Sequence, residues 1–262
     1  MIQELTSSMV RTFKQCPRRY ELEYVHMLIP CQAPEALALG SAYHEKVEAI
    51  LKGQLWRNDG VTGAMAEAFD RMSSWREWDV KGVEEEFRVH MAKGLYLKGK
   101  MDVVLADGTP VEHKTFGGSD WDRYVDHLRW DDQASLYLLA LNERRMKYVV
   151  CRKPTIRQKK DETEEEYVER CREWLAENDA VRTFEVTRAR GELEDTLHGL
   201  KALAKTIRAG NFYRNPQACA IVPCPYASIC LSFDPEISYM VVMSMVKGFE
   251  KKERRNEELC KF

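Results

Sequence analysis

The stretch that decides the fold is Gly99-Lys100-Met101-Asp102-Val103-Val104-Leu105-Ala106-Asp107-Gly108-Thr109-Pro110-Val111-Glu112-His113-Lys114. Its β-branched and apolar residues predict two short strands, and Asp107-Gly108 predicts a tight turn between them. Glu112 and Lys114 are two positions apart, so their side chains leave the same face of the second strand. Charged groups therefore stand where a buried sheet is expected to be apolar.

The turn between these strands decides whether Asp102 lies on the same face of the sheet as Glu112. A two-residue loop would put Asp102 and Glu112 on opposite faces, and a site that needs both would not assemble. A loop with an odd number of residues, such as Asp107-Gly108-Thr109 with Gly108 near the left-handed region, puts Asp102, Glu112 and Lys114 on one face. We predict that register, or a bulge with the same result.

The composition indicates a globular protein. The chain has 262 residues, 44% hydrophobic and 31% charged, with a net charge of -2. This near-neutral balance excludes a global nucleic-acid-binding charge, so any such binding must use local patches. No apolar run reaches the roughly 18 residues of a membrane span, and no secretory signal follows Met1. We therefore expect a cytoplasmic protein without membrane contact, in which the eight cysteines serve as metal ligands or buried thiols.

Periodicity predicts the other elements. A helix follows the capping residues Thr6-Ser7-Ser8, and strands are predicted at 84–91, 95–106, 111–116, 147–152 and, at the sheet edge, 183–187. Further helical patterns cover 36–51, 63–78, 130–141, 159–178 and 192–208, and residues 210–232 have a loop-like composition. We predict one domain over 1–235 and a helical or partly disordered tail over 236–262.

The charged hairpin has two interpretations from its residues alone. Two neighbouring carboxylates repel each other, and a hard divalent cation such as Mg²⁺ or Mn²⁺ relieves that repulsion. Lys114 would then orient a water molecule or stabilise a phosphate. The alternative is an ordinary polar sheet face with a Glu112–Lys114 salt bridge.

Four motifs occur together in the order of a known family. Gly40-Ser41-Ala42-Tyr43-His44 gives Gly-x-x-x-His, and Gly99-Lys100-Met101-Asp102 gives Gly-x-x-Asp. Glu112-His113-Lys114 gives Glu-x-Lys, and Gln133-Ala134-Ser135-Leu136-Tyr137 gives Gln-x-x-x-Tyr. The set resembles the PD-(D/E)xK nuclease superfamily, specifically its RecB-like exonuclease branch. The resemblance implies an α/β fold with a restriction-endonuclease-like central mixed sheet flanked by helices.

The resemblance also implies roles for these residues. His44, Asp102, Glu112 and the backbone carbonyl of His113 would hold Mg²⁺ or Mn²⁺, and Lys114 would be the catalytic lysine. Gln133 and Tyr137 would face the site and contact the substrate phosphate or the lysine. Without the hairpin, His44 would be an ordinary helix histidine, and Gln133 and Tyr137 would be packing and surface residues.

The cysteines suggest a second centre. Cys219, Cys224 and Cys230 lie within twelve positions of a proline-rich segment, which suits ligation by several thiolates but supplies no fourth ligand. Cys16, in Phe13-Lys14-Gln15-Cys16-Pro17-Arg18-Arg19-Tyr20, resembles the N-terminal cysteine of iron–sulfur RecB-like nucleases, similar to AddB and CRISPR-adaptation nucleases. That resemblance implies a [4Fe–4S] cluster joining the N- and C-terminal parts. The spacing of Cys219 departs from the family pattern, and Zn²⁺ on the same thiolates is the rival.

The function implied is a metal-dependent DNA exonuclease acting on ends or single strands, in recombination, repair or CRISPR-type processing, with a helicase or recombination partner. The alternatives are a non-catalytic nucleic-acid-binding module of the same fold and a restriction-like endonuclease. Basic side chains near the N-terminus are candidates for phosphate contacts, and three aromatic residues near the site are candidates for base stacking. These are Arg11, Lys14, Arg18 and Arg19, and Trp121, Tyr124 and Trp130.

Overall fold

A computed structural model describes residues 3–30, 35–221, 223–231 and 249–251. The helices are α1 Ser7–Gln15, α2 Pro17–Tyr20, α3 Glu35–Leu51, α4 Gly60–Arg71, α5 Trp121–Arg129, α6 Asp132–Leu141, α7 Glu164–Glu177, α8 Arg190–Arg208, α9 Pro216–Ile221 and α10 Ala227–Leu231, with a π-helical turn at Glu21–Val25 and a 3₁₀ turn at Ser73–Glu77. The strands are β1 Gln3–Leu5, β2 Leu28–Pro30, β3 Val80–Ala92, β4 Leu95–Leu105, β5 Pro110–Phe116, β6 Arg145–Arg152, β7 Val181–Thr187 and β8 Phe249–Lys251.

The chain forms two compact units, and β3, β4 and α8 continue from one into the other. Unit 1 contains residues 1–33, 88–98 and 195–262, and unit 2 contains residues 34–87 and 99–194. In unit 1, β1 runs parallel to the first residues of β4, and β2 pairs antiparallel with β8. A small apolar core in this unit joins Leu22 and Leu28 to Tyr226 and Ile229.

Unit 2 holds a mixed sheet. Strands β4 and β5 are antiparallel, β5 and β6 are parallel, and β7 adds an antiparallel edge strand to β6. Val111, Val149 and Cys151 pack on one side against α3, α4 and α7, whereas Tyr148 and Val150 pack on the other against α5 and α6. Strand alternation thus buries both faces of the sheet between helices, which confirms the predicted α/β class with a mixed sheet.

Most predicted elements are present, with shifted ends. Thr6 caps α1, accepting from the Met9 N–H at 3.2 Å, and the predicted 63–78 helix is α4 followed by the 3₁₀ turn. The prediction of a loop over 210–232 is wrong, since α9 and α10 lie there, and α5 was not predicted. The signal for α5 was Asp120, whose side chain caps the helix through the Arg123 N–H. In the described ranges, no helix combines the length and apolarity needed to cross a membrane. Except for β8, the predicted tail over 236–262 lies outside the described residues.

Candidate active site

The β4–β5 hairpin closes with an odd number of loop residues, as predicted. Val103 pairs with Val111 and Val104 with Pro110, so Leu105 stands opposite Thr109, whose carbonyl accepts its N–H at 3.0 Å. The loop is Ala106-Asp107-Gly108 rather than the expected Asp107-Gly108-Thr109. Gly108 has φ +87 and donates to the Leu105 carbonyl at 2.9 Å, the geometry of a turn closed by a left-handed glycine.

Strand β4 is irregular at Asp102. Met101 and Val104 both pack with Tyr137 of α6, although residues three apart in a regular strand point to opposite faces. Alternation therefore slips between them, and Asp102 turns its carboxylate to His44 on α3, with Oδ2 3.5 Å from Nδ1. The β4–β5 register, continued by one pair, sets Asp102 opposite Glu112, so the expectation that Asp102 shares one face with Glu112 and Lys114 stays a prediction. Oδ2 of Asp102 accepts the backbone N–H of His113 at 2.7 Å, which fixes the carboxylate beside β5.

Glu112, Lys114 and Gln133 form one hydrogen-bonded group on the α6 side. Oε1 of Glu112 accepts from Lys114 Nζ at 3.2 Å and from Gln133 Nε2 at 2.6 Å. The Gln133 carbonyl oxygen accepts in turn from Lys114 Nζ. Gln133 thus orients the acid and the lysine together. It lies in the first turn of α6, where Asp131 accepts its N–H.

The environment of Glu112 favours its protonated form. The residue is only 6% exposed. Burial and the charge of Asp102 raise the pKa of Glu112 to about 7, against the opposing effects of Lys114 and Gln133. The two carboxylates are therefore close enough to repel each other.

His44 and Asp102 form the second polar pair. Burial lowers the pKa of His44, but its contact with Asp102 and the charge of Glu112 outweigh burial, and the net pKa is raised. For Asp102, burial raises the pKa, yet His44 and His113 outweigh it and the net pKa is lowered. Both shifts favour the ionised pair.

Tyr137 packs against β3 and β4, and His113 packs against α4. The Tyr137 hydroxyl donates to the Lys100 carbonyl at 2.9 Å, and its ring packs edge-on against Phe87 with centroids 5.3 Å apart. Tyr137 therefore braces β4 in addition to any contact with substrate. The His113 ring is 1% exposed and packs edge-on against Phe69, with neither ring nitrogen hydrogen-bonded.

Sequence reasoning missed two residues at this site. Tyr148 of β6 lies beneath Lys114, whose Nζ is 6.0 Å from the ring centroid, and its hydroxyl donates to Asp131 at 3.0 Å. Lys100 pairs with Glu84, and its pKa is raised chiefly by that contact and further by the charges of Glu48 and Asp102. Neither carried a signal in the sequence, since Tyr148 resembles a core residue and Lys100 a surface lysine.

The donor set fits a divalent cation, although its ligands are not preassembled. Within the part of the chain that the structure describes, no three His, Cys, Asp or Glu side chains are grouped as a metal site. However, Oε2 of Glu112 is buried without a hydrogen-bond partner beside the Asp102 charge. A buried carboxylate oxygen in that state lacks the cation or donor that would offset its desolvation. Hard oxygen donors of this kind suit Mg²⁺ or Mn²⁺.

The four predicted cluster cysteines line a single cavity in unit 1. Cys16, Cys219, Cys224 and Cys230 surround a volume of about 220 Å³ together with Arg18, Arg19 and Arg214. Burial raises the pKa of Cys224 and of Cys230, which favours the thiol over the thiolate. The predicted metal cluster joining the two ends of the domain is not shown by this arrangement.

The predicted phosphate-contacting residues divide into two pairs. Arg11 and Lys14 are exposed on α1. Arg18 pairs with Glu21, and Arg19 lies 3.3 Å from Glu23, while both line the cysteine cavity. The first pair therefore presents the more accessible charge.

Comparisons with known proteins identify a family and several similar solved structures. The profile of the PD-(D/E)XK nuclease superfamily matches residues 4–231. A putative exonuclease from Eubacterium rectale is 14% identical, with 93% of this chain and 94% of that chain covered and a TM-score of 0.57. A phage-related exonuclease from Haemophilus somnus is 11% identical over 80% and 97%, with a TM-score of 0.42, and an alkaline exonuclease from Laribacter hongkongensis is 11% identical over 84% and 95%, with a TM-score of 0.35. A search of curated protein sequences finds no match.

Proposed function

The chain belongs to the PD-(D/E)XK nuclease superfamily, and on that premise we propose that it is a Mg²⁺- or Mn²⁺-dependent DNA exonuclease acting on ends or single strands. One observation carries the proposal: a buried carboxylate with a partnerless oxygen lies beside a second carboxylate and a hydrogen-bonded lysine. A module that only bound nucleic acid would gain nothing from burying Glu112 at a raised pKa.

The residues divide the chemistry between them. Asp102, Glu112, His44 and the His113 carbonyl would hold the cation, which supplies a Lewis acid that activates water and offsets phosphate charge. Lys114, oriented by Glu112 and Gln133, donates to the attacking water or to a phosphate oxygen. His44 and His113 hold the Asp102 carboxylate in place. Arg11 and Lys14 contribute further phosphate contacts, and a helicase or recombination partner supplies any unwinding.

The test is cleavage of end-labelled DNA with Mn²⁺. Asp102→Asn and Lys114→Met keep the side-chain size, and each should lower the rate by about 10²–10³-fold because each removes electrostatic stabilisation of the transition state. Exposed residues of the same types, in Asp122→Asn and Lys205→Met, serve as matched controls that should keep full activity. Equal activity in all five proteins would refute the proposal, and cleavage of covalently closed circular DNA would favour an endonuclease.

We further propose that the cysteine cavity holds a [4Fe–4S] cluster, with Zn²⁺ as the rival. Four thiols converge there, and the guanidinium groups of Arg18, Arg19 and Arg214 would offset the charge of their thiolates. Iron, labile sulfide and zinc measured after anaerobic purification distinguish the two. Cys16→Ala should lose the metal, whereas Cys171→Ala, at a buried thiol outside the cavity, should keep it. Unchanged metal content in Cys16→Ala would refute this assignment.

A further inference from the structure

Trp130 differs from the other two aromatic residues near the site. Trp121 packs against Phe116 and Phe184, with ring centroids 5.4 and 5.7 Å apart, and Tyr124 stacks on Phe116 at 4.3 Å. Trp130, in contrast, is 84% exposed. Large aromatic rings usually bury most of their surface, so an indole held in water at the edge of a polar site indicates a ligand-binding role.

The turn that carries Trp130 is held firmly. The Trp130 N–H donates to the His127 carbonyl at 3.0 Å. The next residue, Asp131, accepts from the Gln133 N–H and from the Tyr148 hydroxyl, each at 3.0 Å. Anchoring on both sides fixes the backbone beneath the indole, so binding a ligand there costs little conformational entropy.

Trp130 lies three residues before Gln133, which contacts Lys114. Trp130 and Gln133 are three residues apart, so their Cα atoms lie within about 11 Å of each other by chain reach alone. Gln133 accepts from Lys114 Nζ, and the Tyr148 ring lies 6.0 Å from that nitrogen. The span of at most about 11 Å between Trp130 and Gln133 corresponds to about three nucleotides at the 3.4 Å rise of one strand.

Local charge selects what the indole can bind. Asp126, Asp131 and Asp132 lie within four residues of Trp130, and Arg129 is paired with Asp126 at 3.3 Å. These carboxylates repel a phosphate, whereas a nucleobase is uncharged and offers a flat apolar face. In a duplex both faces of an internal base are already stacked, so a free face requires an unpaired nucleotide.

We propose that Trp130 stacks on an unpaired base of a DNA strand bound at the Lys114 site, so that the substrate is single-stranded there. The inference rests on the proposed function for the identity of the site. It adds the substrate form, and it assigns Trp130 to binding rather than to catalysis.

Binding without cleavage tests the proposal. With EDTA present, fluorescence anisotropy measures the Kd of the protein for a labelled single-stranded oligonucleotide and for the same sequence as a blunt duplex. Stacking is worth about 1–3 kcal/mol per base, so Trp130→Ala should weaken single-strand binding by about 5- to 150-fold and leave duplex binding unchanged. Trp130→Phe should restore most of the affinity. Leu55→Ala, at another fully exposed apolar residue of unit 2, is the matched control and should change neither Kd.

An abasic scan identifies the stacked base. Single abasic sites are moved along the oligonucleotide from each end. One position should weaken binding to the wild type but not to Trp130→Ala, because that variant has already lost the stacking partner. Unchanged single-strand affinity in Trp130→Ala, equal losses on single strand and duplex, or the same abasic profile in both proteins would overturn the proposal.

The two proposals fail in different ways. If the wild type cleaves DNA but Trp130→Ala binds single strands normally, only the role of Trp130 is refuted. If the wild type shows the abasic effect at Trp130 but cleaves no DNA with Mg²⁺ or Mn²⁺, the nuclease proposal fails while the base-stacking site stands.

Discussion

Replacing Glu112 by Gln should abolish activity and yet stabilise the metal-free protein above neutral pH. Burial and the Asp102 charge raise the pKa of Glu112 to about 7, from an ordinary value of 4.5. Between those pH values the folded state keeps a proton that the unfolded state has lost. The free energy of unfolding therefore falls as pH rises through this window. Gln keeps an oxygen that accepts from Lys114 and Gln133 but carries no charge, so the variant does not lose stability in this way as pH rises.

The magnitude follows from the shift. At 1.36 kcal/mol per pKa unit, the ionised Glu112 costs the fold about 3 kcal/mol at pH 8. For a chain of this size, that corresponds to about 6–12 °C in Tm. Wild type and Glu112→Gln should therefore differ little near pH 4.5, and the variant should gain stability progressively up to pH 8. The difference between the two proteins removes the other titrating groups from the comparison.

Thermal unfolding in EDTA from pH 4.5 to 8, repeated with saturating Mg²⁺, measures both effects. At 100 times its Kd, the cation should stabilise the wild type by about 2.7 kcal/mol and so raise its Tm. It should not stabilise Glu112→Gln. Asp122→Asn, which removes an exposed carboxylate, serves as the control and should follow the wild type. A Glu112→Gln protein that is less stable than wild type at pH 8, or a difference independent of pH, would refute the reasoning.

Three further changes test other parts of the site. Gly108→Ala should lower stability by about 1–2 kcal/mol, because φ +87 is unfavourable for alanine. Unchanged chemical denaturation would argue against the glycine-closed turn. Gln133→Ala removes the amide that lowers the pKa of Glu112, so the pH–rate profile should move to higher pH. A loss of rate without a shift of the profile would contradict this role. His113→Leu should retain the backbone contacts and gain stability relative to the wild type as pH falls from about 6.5 towards 4, because burial lowers the pKa of His113 to about 4 and the wild type alone carries that cost. The check is the difference in Tm between the two proteins, and a difference that does not change with pH would count against it.

The hairpin shows how far a sequence can determine a site. The parity of the β4–β5 loop could be predicted, because glycine after aspartate favours a left-handed closing residue and chemistry requires a specific register. Which three residues form the loop could not be predicted, since a loop over 106–108 and a loop over 107–109 both have an odd number of residues. The slip at Asp102 also carried no signal, because it depends on the contacts of its carboxylate with His44 and the His113 N–H, which exist only in the folded chain.

Helices could be predicted where one buried face gives the sequence a helical period of hydrophobic residues. The amphipathic pattern of α3 predicted its span within one residue of its start, whereas the loop-like composition of residues 210–232 concealed α9 and α10. These helices have six and five residues, too short to display a hydrophobic period. Their prolines and cysteines indicated a loop, but Pro216 is the first residue of α9, a position where its missing N–H costs nothing.

Successive residues of β5 explain why the site is costly to the fold. Alternation sends Glu112 to the α6 side, where Oε1 accepts from two donors and Oε2 has no hydrogen-bond partner. It sends His113 to the opposite side, where neither ring nitrogen has a hydrogen-bond partner. Burial shifts both groups towards their neutral forms, so rising pH penalises Glu112 and falling pH penalises His113. Apolar residues at both positions would avoid these costs. Only for Glu112 does a cation offer compensation, since it would neutralise the carboxylate that Asp102 repels. Ligand binding therefore explains the buried Glu112 carboxylate better than packing does. A cation offers the His113 ring no such compensation, and the proposed chemistry does not require that ring.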